Sequence, residues 1–280
     1  MEKIYKLKKL LKNGIFHIFA IDHHDVFTCK MNGVDISNKD IVLEEKLRLI
    51  NEVKDLTSAV LIDTYYFFNG TKIIDKINIG EVLVGIENNN YNIETINDNY
   101  LTQKVSIKEL SEDGCNMIKL FVYYHPDMKF SNDIDKIVEY VSNECKKYNI
   151  PFMLEPILYQ ESPDNYDLTV RMLKRLSKYE VDVYKLVFPG NINELSYEEN
   201  LNRCKSINDL VNTVWIILSS GVTNNEFKKQ LEISGKAGAS GYAVGRSVWN
   251  DYVCSDNLQD MRALYKDIVD IANKYCKKVD

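Results

Sequence analysis

A chain of 280 residues is long enough for one large α/β domain or two smaller ones. With 45% apolar and 27% charged residues the composition is that of a globular protein, and a net charge of -6 argues against broad nucleic-acid binding while leaving room for a small basic pocket for an anionic metabolite. No apolar run approaches the roughly 18 residues of a membrane span, so no membrane partner is expected. The start "MEKIYKLKKLLKNGIFHIFAIDHH" is basic, then apolar, and lacks a small-residue cleavage site, which points to a cytoplasmic protein rather than a signal peptide. The six cysteines, Cys29, Cys115, Cys145, Cys204, Cys254 and Cys276, are scattered without a C-x-x-C pair, as expected of reduced structural thiols.

In chain order, the basic opening predicts an N-terminal helix within residues 1–13. The first strand follows in "GIFHIFAID" (14–22). "VLEEKLRLINEVKDLT" spaces Leu43, Leu47, Ile50 and Val53 along one helical face. Strands are expected in "AVLIDTYYF" (59–67) and "EVLVGIE" (81–87), then a loop in "NNNYNIETIND" and a short helix in "SIKELSEDG" ended by Gly114. "NMIKLFVYY" (116–124), "PFMLEPILY" (151–159), "VDVYKLVFP" (181–189), "VWIILSSG" (214–221) and "GYAVGRSVW" (241–249) supply the remaining strands, with amphipathic helices between them and "DNLQDMRALYKDIVDIANKYC" closing the chain. Eight strands alternating with helices, with no Pro/Gly-rich linker, predict an α/β fold: a single-domain (β/α)8 TIM barrel over residues 1–280. The alternative, a doubly wound open sheet, normally carries a Gly-rich phosphate loop after its first strand, and "AIDHHDV" is not one.

A barrel places its chemistry at the C-terminal ends of its strands. The polar residues expected there are Asp22, His23 and His24 after the first strand, Asp63, Glu87, Lys119, Glu155, Lys185, then Ser219, Ser220 and Gly221, and finally Gly245 and Arg246. In "VDVYKLVFP" the two-residue period puts Val183, Lys185 and Val187 on one face and Tyr184, Leu186 and Phe188 on the other. A lysine in a barrel interior, desolvated and near a second cation, is expected to lose proton affinity and become an amine nucleophile toward a carbonyl. Glu155, on the strand between Lys119 and Lys185, can shuttle protons during carbinolamine formation, dehydration and C–C cleavage. The runs "LSSGV" and "VGRS" fit the phosphate-binding region of such barrels, where backbone N–H groups and Arg246 would grip the anion.

Two other readings compete. "AIDHHDVF" (20–27) suggests a metal-dependent phosphohydrolase built on Asp22, His23, His24 and Asp25, with His125 as a further ligand. Successive strand-end side chains alternate in direction, however, so four adjacent residues do not converge on one ion. A non-catalytic barrel that binds a sugar phosphate is the third reading, although a pure binder has no need of buried lysines. His17, inside the first strand, reads as packing, and Trp249 as a buttress of the phosphate region.

The runs "LIDTYY" (61–66), "IKLFVYYHPD" (118–127), "IPFMLEPILY" (150–159), "VDVYKLVFPGN" (181–191), "ILSSGVTNNEF" (217–227) and "AGASGYAVGRSVW" (237–249) together resemble the class I aldolase family of tagatose 1,6-bisphosphate aldolase and sulfofructose-phosphate aldolase. The resemblance spans nearly the whole chain. It implies a Schiff base on Lys185, a proton shuttle at Glu155, a second active-site lysine at Lys119 and a mouth carboxylate at Asp22. It further implies a dihydroxyacetone phosphate grip by Ser219, Ser220, Gly221, Gly245 and Arg246, with no metal and no cofactor. The partner would be a small-molecule sugar phosphate, and a homo-oligomer is expected. The chain departs from the family where relatives read Asp-Gln-Arg and this sequence reads Asp22-His23-His24. Histidine is a weaker, pH-dependent anion partner than arginine, so His23 and His24 point to an altered distal end of the substrate.

Overall fold

The computed structural model describes residues 2–23, 25–31, 33, 35–68, 81–88, 100–101, 106–159, 165–211 and 213–279. Eight parallel strands close in chain order: Phe16–Ala20 (β1), Ala59–Asp63 (β2), Val82–Gly85 (β3), Met117–Tyr124 (β4), Phe152–Leu158 (β5), Val183–Leu186 (β6), Val214–Leu218 (β7) and Gly241–Val244 (β8). β1 pairs with both β2 and β8, with Phe16 opposite Gly241 and Val244 opposite Phe19, so the sheet has no edge and the open-sheet alternative is excluded. Each ladder is shorter than the apolar run that announces it. The run 181–189 yields only Val183–Leu186, because burial beneath the helices outlasts the hydrogen-bonded register.

The described helices are Glu2–Lys9 (α1), Asp25–Thr28 (α2), Lys39–Val53 (α3), Thr64–Phe68 (α4), Ile107–Glu112 (α5), Ser131–Lys147 (α6), Tyr166–Leu176 (α7), Tyr197–Val211 (α8), Asn224–Lys236 (α9), Arg246–Trp249 (α10) and Leu258–Tyr275 (α11). Local chemistry sets their starts. Ser106 with Glu109, and Thr223 with Glu226, form capping boxes in which each side chain satisfies the other's backbone N–H, while Asn38 caps α3. The sequence "NNNYNIETIND" lies almost wholly outside the described residues.

The two strand faces bury different partners. Phe16, Ile18, Leu61, Leu83, Met117, Met153, Val183 and Ile216 fill the barrel interior, and Leu7, Leu10, Leu11 and Val279 pack against its N-terminal end. Phe19, Ile62, Val84, Ile118, Tyr184 and Ile217 point outward to the helices. At about 1.5–3 kcal/mol for each fully buried large apolar side chain, this double packing is the main stabilising term. The plug at the N-terminal end leaves the opposite end for chemistry.

Candidate active site

Lys119, Glu155 and Lys185 each stand two residues beyond Met117, Met153 and Val183, one layer nearer the C-terminal mouth than the apolar fill. They occupy adjacent strands, β4, β5 and β6, so their side chains converge. Glu155 Oε2 lies 2.9 Å from Lys119 Nζ and 3.0 Å from Lys185 Nζ. Both are ion pairs at close range, and Oε2 meets neither ammonium at a hydrogen-bonding angle. Lys119 also donates to Asp22 Oδ2 at 3.0 Å and to Glu87 Oε1 at 2.6 Å. All five groups are buried.

Charge partition within this cluster is uneven. Burial pulls the Lys119 ammonium down, but Asp22, Glu155 and Glu87 outweigh it, and Lys119 is held well above the usual lysine range. The sequence-based expectation of a lowered proton affinity is therefore corrected at Lys119: three carboxylates overrule one cationic neighbour, and the residue is a fixed cation. Among the described residues, Lys185 pairs with the Glu155 carboxylate alone. Burial would raise the Asp22 and Glu155 carboxyls, yet Lys119 pulls both below the ordinary carboxylate range, aided by His23 and Lys185 at Asp22 and by Lys185 at Glu155. Glu87 goes the other way, because burial exceeds what Lys119 returns.

The end of β1 is held from outside. Lys46 on α3 has 0% exposure, and its Nζ donates to the Ile21 carbonyl at 2.6 Å, the His23 carbonyl at 2.9 Å and Asp63 Oδ2 at 3.4 Å. Gripping the carbonyls on either side of Asp22 fixes the backbone that aims Asp22 at Lys119. The His23 ring meets Trp249 edge-on at 5.6 Å, and its Nδ1 lies 3.4 Å from Asp22 Oδ1. Burial is the largest cause that pushes the His23 imidazole down to about 4, with Asp22 opposing and Arg246, Lys185 and Lys119 reinforcing. His24 lies outside the described residues.

The turns after β7 and β8 are neighbours. Ser219 is buried, whereas Ser220 and Gly221 form an exposed turn with φ of 47° and 78°. A Cβ on Gly221 would stand 4.0 Å from the Arg246 guanidinium carbon, so the bare backbone of this turn and the Arg246 cation lie side by side. Gly245 precedes Arg246 at the start of α10, and Trp249 Nε1 donates to the Ala20 carbonyl at 2.9 Å, tying this turn to β1. A cavity of about 450 Å³ lies beside the mouth, lined by Leu186, Phe188, Asn191, Arg203, Ser220 and Gln230. It includes none of Lys119, Glu155 and Lys185, which lie in the barrel interior.

The structure thus brings together Asp22, Lys119, Glu155 and Lys185, and separately Gly221, Gly245 and Arg246, with His23 between the two groups. Sequence reasoning collected Glu87 at its strand end but left it out of the site, and it missed Lys46 altogether. The Asp22 carboxylate is turned to an ammonium, which counts against a metal set built on it. His125 belongs to another loop, its Nδ1 accepting from the Asp127 N–H at 3.2 Å.

Residues 17–251 match the family described as DeoC/LacD family aldolase. The chain is 30% identical over 271 residues to a tagatose 1,6-diphosphate aldolase of Listeria monocytogenes serotype 4b, covering 86% of this chain and 79% of that one. It is 27% identical over 272 residues to tagatose 1,6-diphosphate aldolase 2 of Enterococcus faecalis, covering 86% and 81%. Among solved structures, a Schiff base-forming fructose-1,6-bisphosphate aldolase superposes with a TM-score of 0.69 at 16% identity, over 96% of this chain and 100% of that one. A fructose-bisphosphate aldolase from Slackia heliotrinireducens gives 0.69 at 14% identity, over 97% and 85%. At these identities the likeness establishes the barrel fold.

Proposed function

Given that the chain belongs to the DeoC/LacD family of aldolases, and so is a lyase, we propose that it cleaves a phosphorylated ketose to dihydroxyacetone phosphate and an aldehyde through a Schiff base on Lys185. The observation that carries this reading is the Lys119–Glu155–Lys185 ladder, in which one carboxylate oxygen lies 2.9 and 3.0 Å from two buried ammonium groups.

In this reading the Lys185 amine adds to the C2 carbonyl of the ketose. Glu155 accepts the ammonium proton, delivers a proton to the carbinolamine hydroxyl as it leaves as water, and is restrained by Lys119, whose fixed charge keeps the carboxylate in place. The resulting iminium is an electron sink. Loss of the C4 hydroxyl proton breaks the C3–C4 bond and leaves an enamine, which is protonated at C3 and hydrolysed to dihydroxyacetone phosphate. The Gly221 and Gly245 backbone, with Ser219, Ser220 and Arg246, supports the phosphate grip. His23, at the mouth beside Arg246, is placed for the distal half of the substrate. The reading calls for no metal and no cofactor. It includes a cytoplasmic setting, supported by six unpaired cysteines; among the described residues no helix is long and apolar enough to cross a membrane.

Borohydride reduction in the presence of dihydroxyacetone phosphate, followed by peptide mass mapping, tests the assignment. A reduced three-carbon phosphate adduct is expected on Lys185. No adduct, or an adduct on another lysine, would sink it.

A further inference from the structure

We propose that Lys46, on α3 outside the barrel strands, is a positioning residue for the cleavage: by clamping the backbone on both sides of Asp22 it sets the rate of the proton steps at Lys185 and Glu155, and this rests on the Schiff-base reading above. Asp22 stands where the sheet does not hold it. The β1 ladder ends at Ala20, and the Ile21 N–H makes the next bond, to the Leu61 carbonyl at 2.8 Å. From there the helical layer takes over. Trp249 Nε1 holds the Ala20 carbonyl at 2.9 Å, and Lys46 Nζ holds those of Ile21 and His23 at 2.6 and 2.9 Å.

Lys46 itself has little freedom. It is buried, its third acceptor is Asp63 Oδ2 at 3.4 Å at the end of β2, and Asp63 Oδ1 is held in turn by the Tyr66 N–H at 3.1 Å. The ammonium lies 4.6 Å from the Tyr66 ring centre and 5.0 Å from that of Phe27. Phe27 meets Trp249 edge-on at 5.3 Å, so both donors at the end of β1 rest on one aromatic cluster. Three protons, three acceptors and two ring faces leave the side chain one orientation.

The clamp reaches the reacting groups through Asp22. Asp22 Oδ2 accepts from Lys119 at 3.0 Å, Lys119 lies 2.9 Å from Glu155 Oε2, and that oxygen lies 3.0 Å from Lys185. Lys119 thus sits among three carboxylates, with Glu87 as the third. When the backbone at Asp22 slackens, Glu87 and Glu155 alone decide where the ammonium sits, and the Glu155 carboxylate moves with it. Glu155 serves the Lys185 nitrogen and the carbinolamine oxygen in turn, so a displacement of about 1 Å costs up to about 100-fold in rate. Among the described residues Lys46 bonds none of Ser219, Ser220, Gly221, Gly245 and Arg246. The loss therefore falls on kcat and spares KM.

Exchange of a hydroxymethyl hydrogen of dihydroxyacetone phosphate with D2O tests this, because it passes through the iminium on Lys185 and involves no distal half of a ketose. In Lys46→Met, kcat for exchange is expected to fall by about 10- to 100-fold per site titrated by borohydride trapping, with KM within about threefold of wild type. Lys46→Met/Asp63→Asn, which strands no buried carboxylate, should show the same fall. Leu110→Ala truncates the core on α5, whose Ser111 accepts from Lys6 of α1 at the N-terminal end of the barrel, and should keep both constants within about twofold of wild type. Exchange at the wild-type rate in Lys46→Met overturns the inference. So does recovery in the double variant, which would assign the loss to the stranded Asp63. A loss confined to KM overturns it too, as does a matching loss in Leu110→Ala, which would mark an effect of stability. A wild type that neither exchanges nor is trapped by borohydride sinks the Schiff-base reading and this inference with it. A wild type that does both beside a fully exchanging Lys46→Met sinks only the inference.

Discussion

Lys46 is a lysine with no solvent exposure, a placement lysines almost never adopt unless paired. Its ammonium has three protons and three acceptors, Ile21 O, His23 O and Asp63 Oδ2, so it is fully satisfied. Burial lowers its proton affinity and raises that of Asp63, pushing both partners toward neutrality, while their mutual attraction and hydrogen bonds oppose this and the Asp22 carboxylate helps hold the charge on Lys46. Removing one partner strands the other. Lys46→Met is expected to destabilise the protein by about 3–5 kcal/mol in urea unfolding. Adding Asp63→Asn should recover part of that loss, because Asn keeps an acceptor for the Tyr66 N–H, which bonds Asp63 Oδ1 at 3.1 Å, without leaving a lone charge. A double variant whose loss equals or exceeds the sum of the singles would show that the two groups do not act as a pair.

The β8–α10 turn joins barrel closure to the proposed phosphate grip. A Cβ on Gly245 would stand 2.5 Å from the Ala20 carbonyl oxygen and 3.1 Å from Trp249 Nε1, so this turn reaches β1 only with glycine. Gly245→Ala is expected to cost about 1–3 kcal/mol by overpacking. It should also raise KM for a phosphorylated ketose more than it lowers kcat, since Arg246 shifts with the turn. Ser106→Ala, which removes the remote capping box of α5, costs about 1 kcal/mol and should leave KM unchanged; equal KM for both variants would contradict the link. The elements themselves were legible because strand alternation carries both packing and chemistry: the two-residue period that buries Val183 also buries Lys185. Helix α3 was only half legible. Leu43 and Ile50 marked a face, but Lys46 went unnoticed beside it. The spacing of Val42, Lys46, Leu49 and Val53, all buried, was the available signal that a cation lay on the inner face. Glu87 escaped for a different reason. Its strand ends at Gly85, and the sequence does not reveal that the chain turns Glu87 back onto Lys119 two residues later.

At the scale of the whole molecule, closure of the barrel buries a histidine that no chemistry uses. His17 lies between β1 and the C-terminal helix with 0% exposure, its Nδ1 3.3 Å from Tyr242 Oη, while Tyr265 Oη donates to its carbonyl. Nε2 is buried without a partner among the described residues. Burial pushes this imidazole, like that of His23, from 6.5 down to about 4. The unfolded chain therefore binds protons between about pH 6.5 and pH 4 that the folded protein refuses, and stability falls as pH drops through that window. A tenfold change in proton affinity is worth about 1.4 kcal/mol, so His17 alone accounts for a loss on the order of 3 kcal/mol between pH 7 and pH 4. The depressed carboxyls of Asp22 and Glu155 contribute stability that is lost only below the ordinary carboxylate range, a more acidic window, whereas the raised carboxyls of Asp63 and Glu87 oppose the histidines above that range, so the histidine share is read from the difference between wild type and variant. Urea unfolding at pH 7 and pH 4.5 should show the loss in wild type. In His17→Gln it should shrink by about 2–3 kcal/mol, and a second substitution, His23→Gln, should flatten it further. An undiminished loss in His17→Gln would mean that the acid sensitivity arises at another group, and that the barrel admits a proton to His17 without opening.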